Sequence, residues 1–325
     1  MTGVGRVRAR ANIALAKYWG KCDTAHNLPA VPSVSVTLDA LVTETEVALD
    51  PSLDRDLVLL QGTPRDGPEA DKIRSLLAEL RTLSGSGVYT RVSSHNLFPS
   101  ASGLASSASG FAALVAAGER AYGLGLSLEA QSALARRGSA SAARSLFGGF
   151  VELPSGVPGD GTLAARALHP PEHWDVRVVI AMTTLGAKDV ASRAGMRHTA
   201  ETSPYYAAWL GCAPGYAREV RDGIAARDLE RVGRAMEAST AAMHASAWAA
   251  VPGVRYFKPS TVALLDRVEA LRREGIGAWS TMDAGPHVKV LCLAADAPRV
   301  ERALRAVEGV VELRVSRPGP GIEPW

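Results

Sequence analysis

A carboxylate at a sharp bend and two lysines at a strand end are the side chains here best suited, by type and spacing, to do chemistry. Met282-Asp283-Ala284-Gly285-Pro286 follows an apolar strand pattern and ends in Gly-Pro, which puts Asp283 at a turn between two strands. Held there, the carboxylate serves either as a general base or as a cap on its own turn. Ala16-Lys17-Tyr18-Trp19-Gly20-Lys21 closes the first strand with two lysines and two aromatic rings. It reads as a phosphate-binding mouth or as a strand end with snorkelling lysines. In Ser139-Ala140-Ser141-Ala142-Ala143-Arg144 a helical turn would put Ser141 and Arg144 on one face. That pair can fork onto a carboxylate, or Arg144 can sit on a solvated face. Pro99 to Ala108 is crowded with small residues, among them Ser102, Gly103, Ala105, Ser106 and Ser107 around Leu104, and leads into an Ala-rich helix. Here a nucleotide's phosphates could lie on unpaired N–H groups, with serine hydroxyls as donors or Mg²⁺ ligands; the alternative is a tight turn before a closely packed helix. The Gly-Lys-Ser/Thr ending of a P-loop is missing. Ser192-Arg193 beside Gly195 forms another donor pair.

The chain that must position these residues has 325 of them, enough for two domains at ~100–200 residues each. With 47% apolar and 21% charged residues it is globular, and a net charge of +3 is too weak to argue for nucleic acid or an anionic membrane. Cys22, Cys212 and Cys292 are too few and too far apart for a disulfide framework or a metal knuckle, and no histidine pair has zinc spacing. His244 reads as an ordinary helix residue. No secretory leader or bilayer-spanning run is visible, so a cytoplasmic protein is expected. Of 36 basic residues only six are Lys (17, 21, 72, 188, 258 and 289), and lysines kept in so Arg-rich a chain merit attention.

Alternation over residues 6–15 predicts a half-buried strand, with further strands at 33–38, 41–49 and 88–92. Helical spacing marks 71–83, 105–122 and 128–136, the last capped by Ser127. The second half predicts strands at 150–153, 176–183, 277–281, 288–293 and 310–315. Helices are expected there at 205–226, 229–245, 260–274 and 297–307. The class is α+β with largely antiparallel sheets.

Taken in order, five stretches resemble the mevalonate diphosphate decarboxylases of the GHMP kinase superfamily. They are Asn12 to Lys21, Pro99 to Ala108, Ser139 to Phe150, Ser192 to Met196 with Glu201-Thr202-Ser203-Pro204, and Met282 to Pro286. The resemblance implies a GHMP kinase fold, with an N-terminal domain like ribosomal protein S5 domain 2 (1–180) and a ferredoxin-like C-terminal domain (181–325). It implies ATP and Mg²⁺, a phosphorylated mevalonate as substrate, and a homodimer. Carried over, Asp283 orients or deprotonates the C3 hydroxyl with Lys17 supporting its charge, and Arg144 with Ser139 and Ser141 holds the C1 carboxylate. Tyr18, Lys21, Ser192 and Arg193 clamp the terminal phosphates. ATP falls to residues 102–107 with Ser94 and Asn96 upstream, and Ser106 to the metal. Cys22, Val31-Pro32 and His287 depart from the family pattern. Loss of a basic residue at Cys22 bears on whether the substrate is the 5-diphosphate, as expected, or the 5-monophosphate. A mevalonate 3-kinase and an RNA binder on the same fold are the remaining readings, the latter opposed by the charge.

Overall fold

The computed structural model describes residues 3–98, 106–184, 186 and 190–325. The first sheet grows from the alternating N-terminal segment. Val4–Ala16 runs antiparallel to Ser33–Leu49. On the solvent face Arg6 meets Glu46 at 2.6 Å and Arg8 meets Glu44 at 2.7 Å, cross-strand pairs that favour this register. On the other face Val7 and Ala9 are fully buried. Thr90–Asn96, Leu57–Leu60 and Thr63–Pro64 extend one side and Glu323–Pro324 closes the other. Phe150–Leu153 and Arg166–His169 branch from Ser33–Leu49.

Where the pattern predicts two strands, 33–38 and 41–49, the chain forms one. Its register jumps from Arg10↔Val42 to Asn12↔Thr37, leaving residues 38–41 opposite residue 11 alone. Leu38 and Leu41 are both fully buried, so the polar Asp39 between them marks a bulge rather than a turn. One half of this strand pairs with Phe150–Leu153 and the other with Thr90–Asn96. The latter strand starts later than expected and runs through both Ser94 and Asn96.

Helices Pro68–Ser84, Ser106–Tyr122 and Leu128–Gly138 cover the inner face of this sheet. Alanine lets them approach closely: a Cβ on Gly5 would stand 1.9 Å from the carbonyl oxygen of Ala117. The second sheet runs Ala278–Thr281, Val288–Leu293, Val176–Met182, Glu312–Ser316, antiparallel throughout. Between the sheets lie Tyr206–Ala226 and Leu229–Trp248, whose Val220, Ile224 and Met236 pack with Ile13 and Leu15 from one side and Val178 and Ile180 from the other. Pro259–Arg273 and Ala297–Arg305 cover the far face. Both faces of Val176–Met182 are therefore apolar, which accounts for its buried run Val178-Val179-Ile180-Ala181-Met182. The mixed class and antiparallel preference agree with the sequence pattern, apart from one parallel pair, Leu57–Leu60 with Thr90–Asn96. Helix Ser192–Thr202 carries too few apolar residues for its period to register. Among the described residues no helix is long and apolar enough to cross a membrane.

Gly233 tests this packing. It lies within Leu229–Trp248, and a Cβ there would stand 2.0 Å from the Trp279 ring. In an exposed helix Gly→Ala stabilises by roughly 1 kcal/mol. Here overpacking reverses the sign, and Gly233→Ala should destabilise by about 1–3 kcal/mol. Denaturant unfolding measures this; a variant as stable as the parent contradicts the packing.

Candidate active site

The end of the first strand, the Asp283 bend and the start of helix Ser192–Thr202 converge on one cavity of about 510 Å³. The sequence-predicted Lys17, Tyr18, Lys21, Ser139, Ser141 and Arg144 line it from the N-terminal side. Ser192, Arg193 and Asp283 close it from the other, and Ser106 and Ser107 form one end.

Asp283 does not cap its own turn with its side chain. Oδ1 accepts from Lys17 Nζ at 2.7 Å, and Oδ2 is 3.0 Å from Lys289 Nζ. Burial alone would raise the carboxyl, but the two ammonium groups outweigh it and hold Asp283 well below the usual carboxylate range. Its side chain keeps 30% exposure into the cleft, whereas Lys17 has 2% and Lys289 1%. Lys17 Nζ also donates to the Ala14 carbonyl at 2.9 Å, and the Lys17 backbone N–H donates to Ser239 Oγ. Burial, with Lys289 and Arg144 nearby, pushes the Lys17 ammonium down to about 8 against the pull of Asp283. His244 is more than an ordinary helix residue. Buried against Phe257 and Tyr256, its ring faces the backbone of Met282, the residue before Asp283, and its Nε2 has no partner among the described residues. Burial, then Lys17, lowers it to about 4, so its ring is neutral.

Arg144 is not on a solvated face. It sits in the 3₁₀ turn Ala140–Leu146 with 2% exposure. Its guanidinium donates to Asn12 Oδ1 at 3.1 and 3.2 Å, to Ser35 Oγ at 2.9 Å and to Ser33 Oγ at 2.6 Å. All these acceptors are neutral, and among the described residues no carboxylate lies in ion-pair reach. Burial lowers Arg144 only to about 10, so it stays charged and calls for an anion. Ser139 Oγ and Ser141 Oγ are 3.0 Å apart beside it.

Lys21, Lys72 and Arg193 gather at the mouth, close enough for each lysine to be lowered by the neighbouring cations as well as by burial, Lys21 to about 8. The Tyr18 hydroxyl, kept protonated by burial, has no partner among the described residues. Like charges held around a space with a free hydroxyl fit a phosphorylated ligand. The Cys22 thiol lies against the carbonyls of Leu28, Pro29 and Gly156, and the residue is an electrostatic neighbour of Tyr18. Val31 is core, packed with Trp19, and the His287 ring accepts from the Thr183 backbone.

A second cavity of about 330 Å³ shares Ser106, Ser107 and Phe111 with the first and contains Ser94 and Asn96. Thr45 holds Ser94 and Thr43 holds Asn96, at 2.8 and 2.6 Å. A long polyanion entering here passes Ser106 and Ser107 on its way to Asp283. Ser102, Gly103, Leu104 and Ala105 lie outside the described residues. Among those described, no three His, Cys, Asp or Glu side chains gather to hold a metal ion. Hydroxyl oxygens at Ser106 and Ser107 instead suit Mg²⁺ carried by phosphates. Lys72, Asn12 and Asn27 also line the cleft and Lys289 lies behind Asp283, none of them expected as site residues from the sequence. The scarcity of lysine was the signal for the two lysines: three of the six line the cavity and a fourth backs Asp283.

Residues 9–164 match the diphosphomevalonate decarboxylase-like N-terminal domain model and 178–313 the mevalonate 5-diphosphate decarboxylase C-terminal domain model. The diphosphomevalonate decarboxylase of Candida albicans is 34% identical over 300 residues, 87% of this chain and 83% of the relative. Mevalonate diphosphate decarboxylase from Staphylococcus aureus superimposes with a TM-score of 0.95 at 35% identity, covering 99% of this chain and 98% of that one. MDDEF in complex with MVAPP, AMPPCP and magnesium gives 0.92 at 38% identity, covering 100% and 99%.

Lys21 makes the phosphate mouth pH-dependent. Its charge is complete well below pH 8 and is lost as pH rises through about 8, so anion affinity should fall on the alkaline side. Calorimetric titration with inorganic pyrophosphate from pH 7 to 9.5 should show that fall, and Lys21→Arg should flatten it. Parallel curves for the two proteins contradict the placement.

Proposed function

The chain belongs to the diphosphomevalonate decarboxylase family, and from that membership we propose how its cleft performs the family's reaction. ATP phosphorylates the C3 hydroxyl of mevalonate 5-diphosphate, and loss of phosphate and CO₂ gives isopentenyl diphosphate and ADP. The observation that carries this reading is the charge pattern: one ionised acid, Asp283, among buried cations of which Arg144 has only neutral partners.

Arg144, with Ser139 and Ser141, forks onto the C1 carboxylate. Tyr18, Lys21, Ser192 and Arg193, with Lys72 added by the structure, take the diphosphate. Three cations are more than a monophosphate can satisfy, which disfavours the 5-phosphate. Asp283, gripped by two ammonium groups, is a weak base but a firmly aimed acceptor, so it aligns the C3 hydroxyl with the γ-phosphate. In a loose phosphoryl transfer the hydroxyl keeps its proton until the bond to phosphorus is largely made, and a weak base then suffices. Phosphate then leaves C3, and the electron pair of the C2–C1 bond forms the double bond as CO₂ departs. Cleft walls such as Trp19 and Met243 keep water from the electron-poor C3. Ser94, Asn96 and residues 102–107 would hold ATP, and Ser106 would hold Mg²⁺, whose charge would offset that of the phosphates. We propose that the division between the N-terminal and C-terminal domains, expected at 180/181, lies a few residues earlier, ahead of Val176–Met182, an inner strand of the second sheet. A homodimer in the cytoplasm completes the proposal.

Asp283→Asn keeps the shape and loses the charge, so turnover should fall by about 10²–10⁴ while ATP still binds. Turnover within tenfold of the parent contradicts the role. Arg144→Lys keeps charge without the planar fork, and turnover should fall more than ATP affinity changes. For the parent, kcat/KM should be higher on mevalonate 5-diphosphate than on the 5-phosphate; the reverse order overturns the substrate assignment.

A further inference from the structure

Lys289 belongs to none of the segments that resemble known chemistry, and it does not line the cavity. It is nonetheless in contact with the reacting end of the cleft. Its strand, Val288–Leu293, is otherwise Val, Leu and Cys and mostly buried, and the lysine pairs across to Ile180 on one side and Thr281 on the other. A charged side chain in the middle of a sheet, with 1% exposure, is poorly explained by packing, which a valine or leucine would serve better. The Lys289 ammonium ends 3.0 Å from Asp283 Oδ2, while the other oxygen, Oδ1, is taken by Lys17 at 2.7 Å. One ion pair would leave the carboxylate free to turn about its last torsion. Two, on different oxygens and from different strands, fix its plane.

We infer that Lys289 is a positioning residue of the phosphoryl-transfer step, pinning Asp283 from behind so that the carboxylate stays ionised and aimed at the C3 hydroxyl. This rests on the reaction proposed above and deepens it. Among the described residues four groups face Asp283: Lys17 from the end of the first strand, Lys289 from its own sheet, Arg144 from the 3₁₀ turn, and His244 from helix Leu229–Trp248. His244 is neutral, so Asp283 is an acid held by cations. Removing Lys289 leaves it ion-paired to Lys17 alone. Its carboxyl then rises towards the ordinary range, and because the ionised form is lost as pH falls, activity begins to fail at a higher pH on the acid side.

The experiment follows ADP and CO₂ release from mevalonate 5-diphosphate and ATP, across pH, for the parent, Lys289→Met, Lys289→Gln and Lys289→Arg. Lys289→Met should lower kcat by about 10- to 100-fold with both KM values within about threefold, the pattern of a lost transition-state contribution. Its acid limb should move to higher pH. Lys289→Gln keeps a donor for Oδ2 without the charge, so it should recover part of kcat but not the limb, and it carries the test if the Met variant loses cooperative unfolding. Lys289→Arg, which restores the charge, should bring the limb back. A Met variant within threefold of the parent overturns the inference, as does a loss of kcat with the limb unmoved, since packing damage alone would give that. A parent that releases no CO₂ from this substrate overturns the reaction itself, and the inference with it.

Discussion

Lys17 and Asp283 meet at 2.7 Å although 266 positions separate them in the chain, and the architecture is organised around that contact. For it to form, the N-terminal strand must end where the second sheet turns. The bulge at residues 38–41 keeps Leu38 and Leu41 in the core shared with the second sheet, and the two long helices between the sheets set the spacing. Ser239 on one of those helices takes the Lys17 backbone N–H, and the buried ring of His244 on the same helix faces Asp283 and the backbone of Met282. One helix therefore borders both ends of the ion pair, so a change in packing between the sheets is felt at the reacting atoms.

The same cleft is expensive to build. Buried Lys17, Lys289 and Arg144 face a single carboxylate, and the Tyr18 hydroxyl has no partner among the described residues. Partly compensated cations in a low-dielectric setting destabilise a fold unless something else satisfies them. A substrate carrying a carboxylate, a diphosphate and an incoming polyphosphate supplies the missing negative charge. Arg144 shows how the uncompensated state is tolerated, since three neutral side chains, Asn12, Ser33 and Ser35, hold its guanidinium in place from below without neutralising it.

Much of this was legible in the residues alone, because local patterns carry it. The alternation of Val7 and Ala9 with Arg6 and Arg8, the Ser127 cap and the Asp283 bend all record constraints that act over a few residues. What failed to show depends on distant partners. Nothing local separates a turn-capping Asp283 from one gripped by two lysines, or a solvated Arg144 from a buried one. Asp39 between Leu38 and Leu41 looks like a turn until the partner strand reveals a bulge. Lys72, on the helix Pro68–Ser84, stands out only as one of few lysines, and the approach of Lys21 and Arg193 gives it a place in the mouth.

The central claim is that one cleft couples phosphorylation at C3 to the breaking of the C1–C2 bond. Single-turnover mixing with ATP and mevalonate 5-diphosphate labelled at the C1 carboxyl tests it most directly, by counting labelled CO₂ against ADP. The account predicts one CO₂ for each ADP, with no ADP formed when the substrate is omitted. ADP accumulating without CO₂ would mean a kinase that stops at the phosphorylated alcohol, and would contradict it.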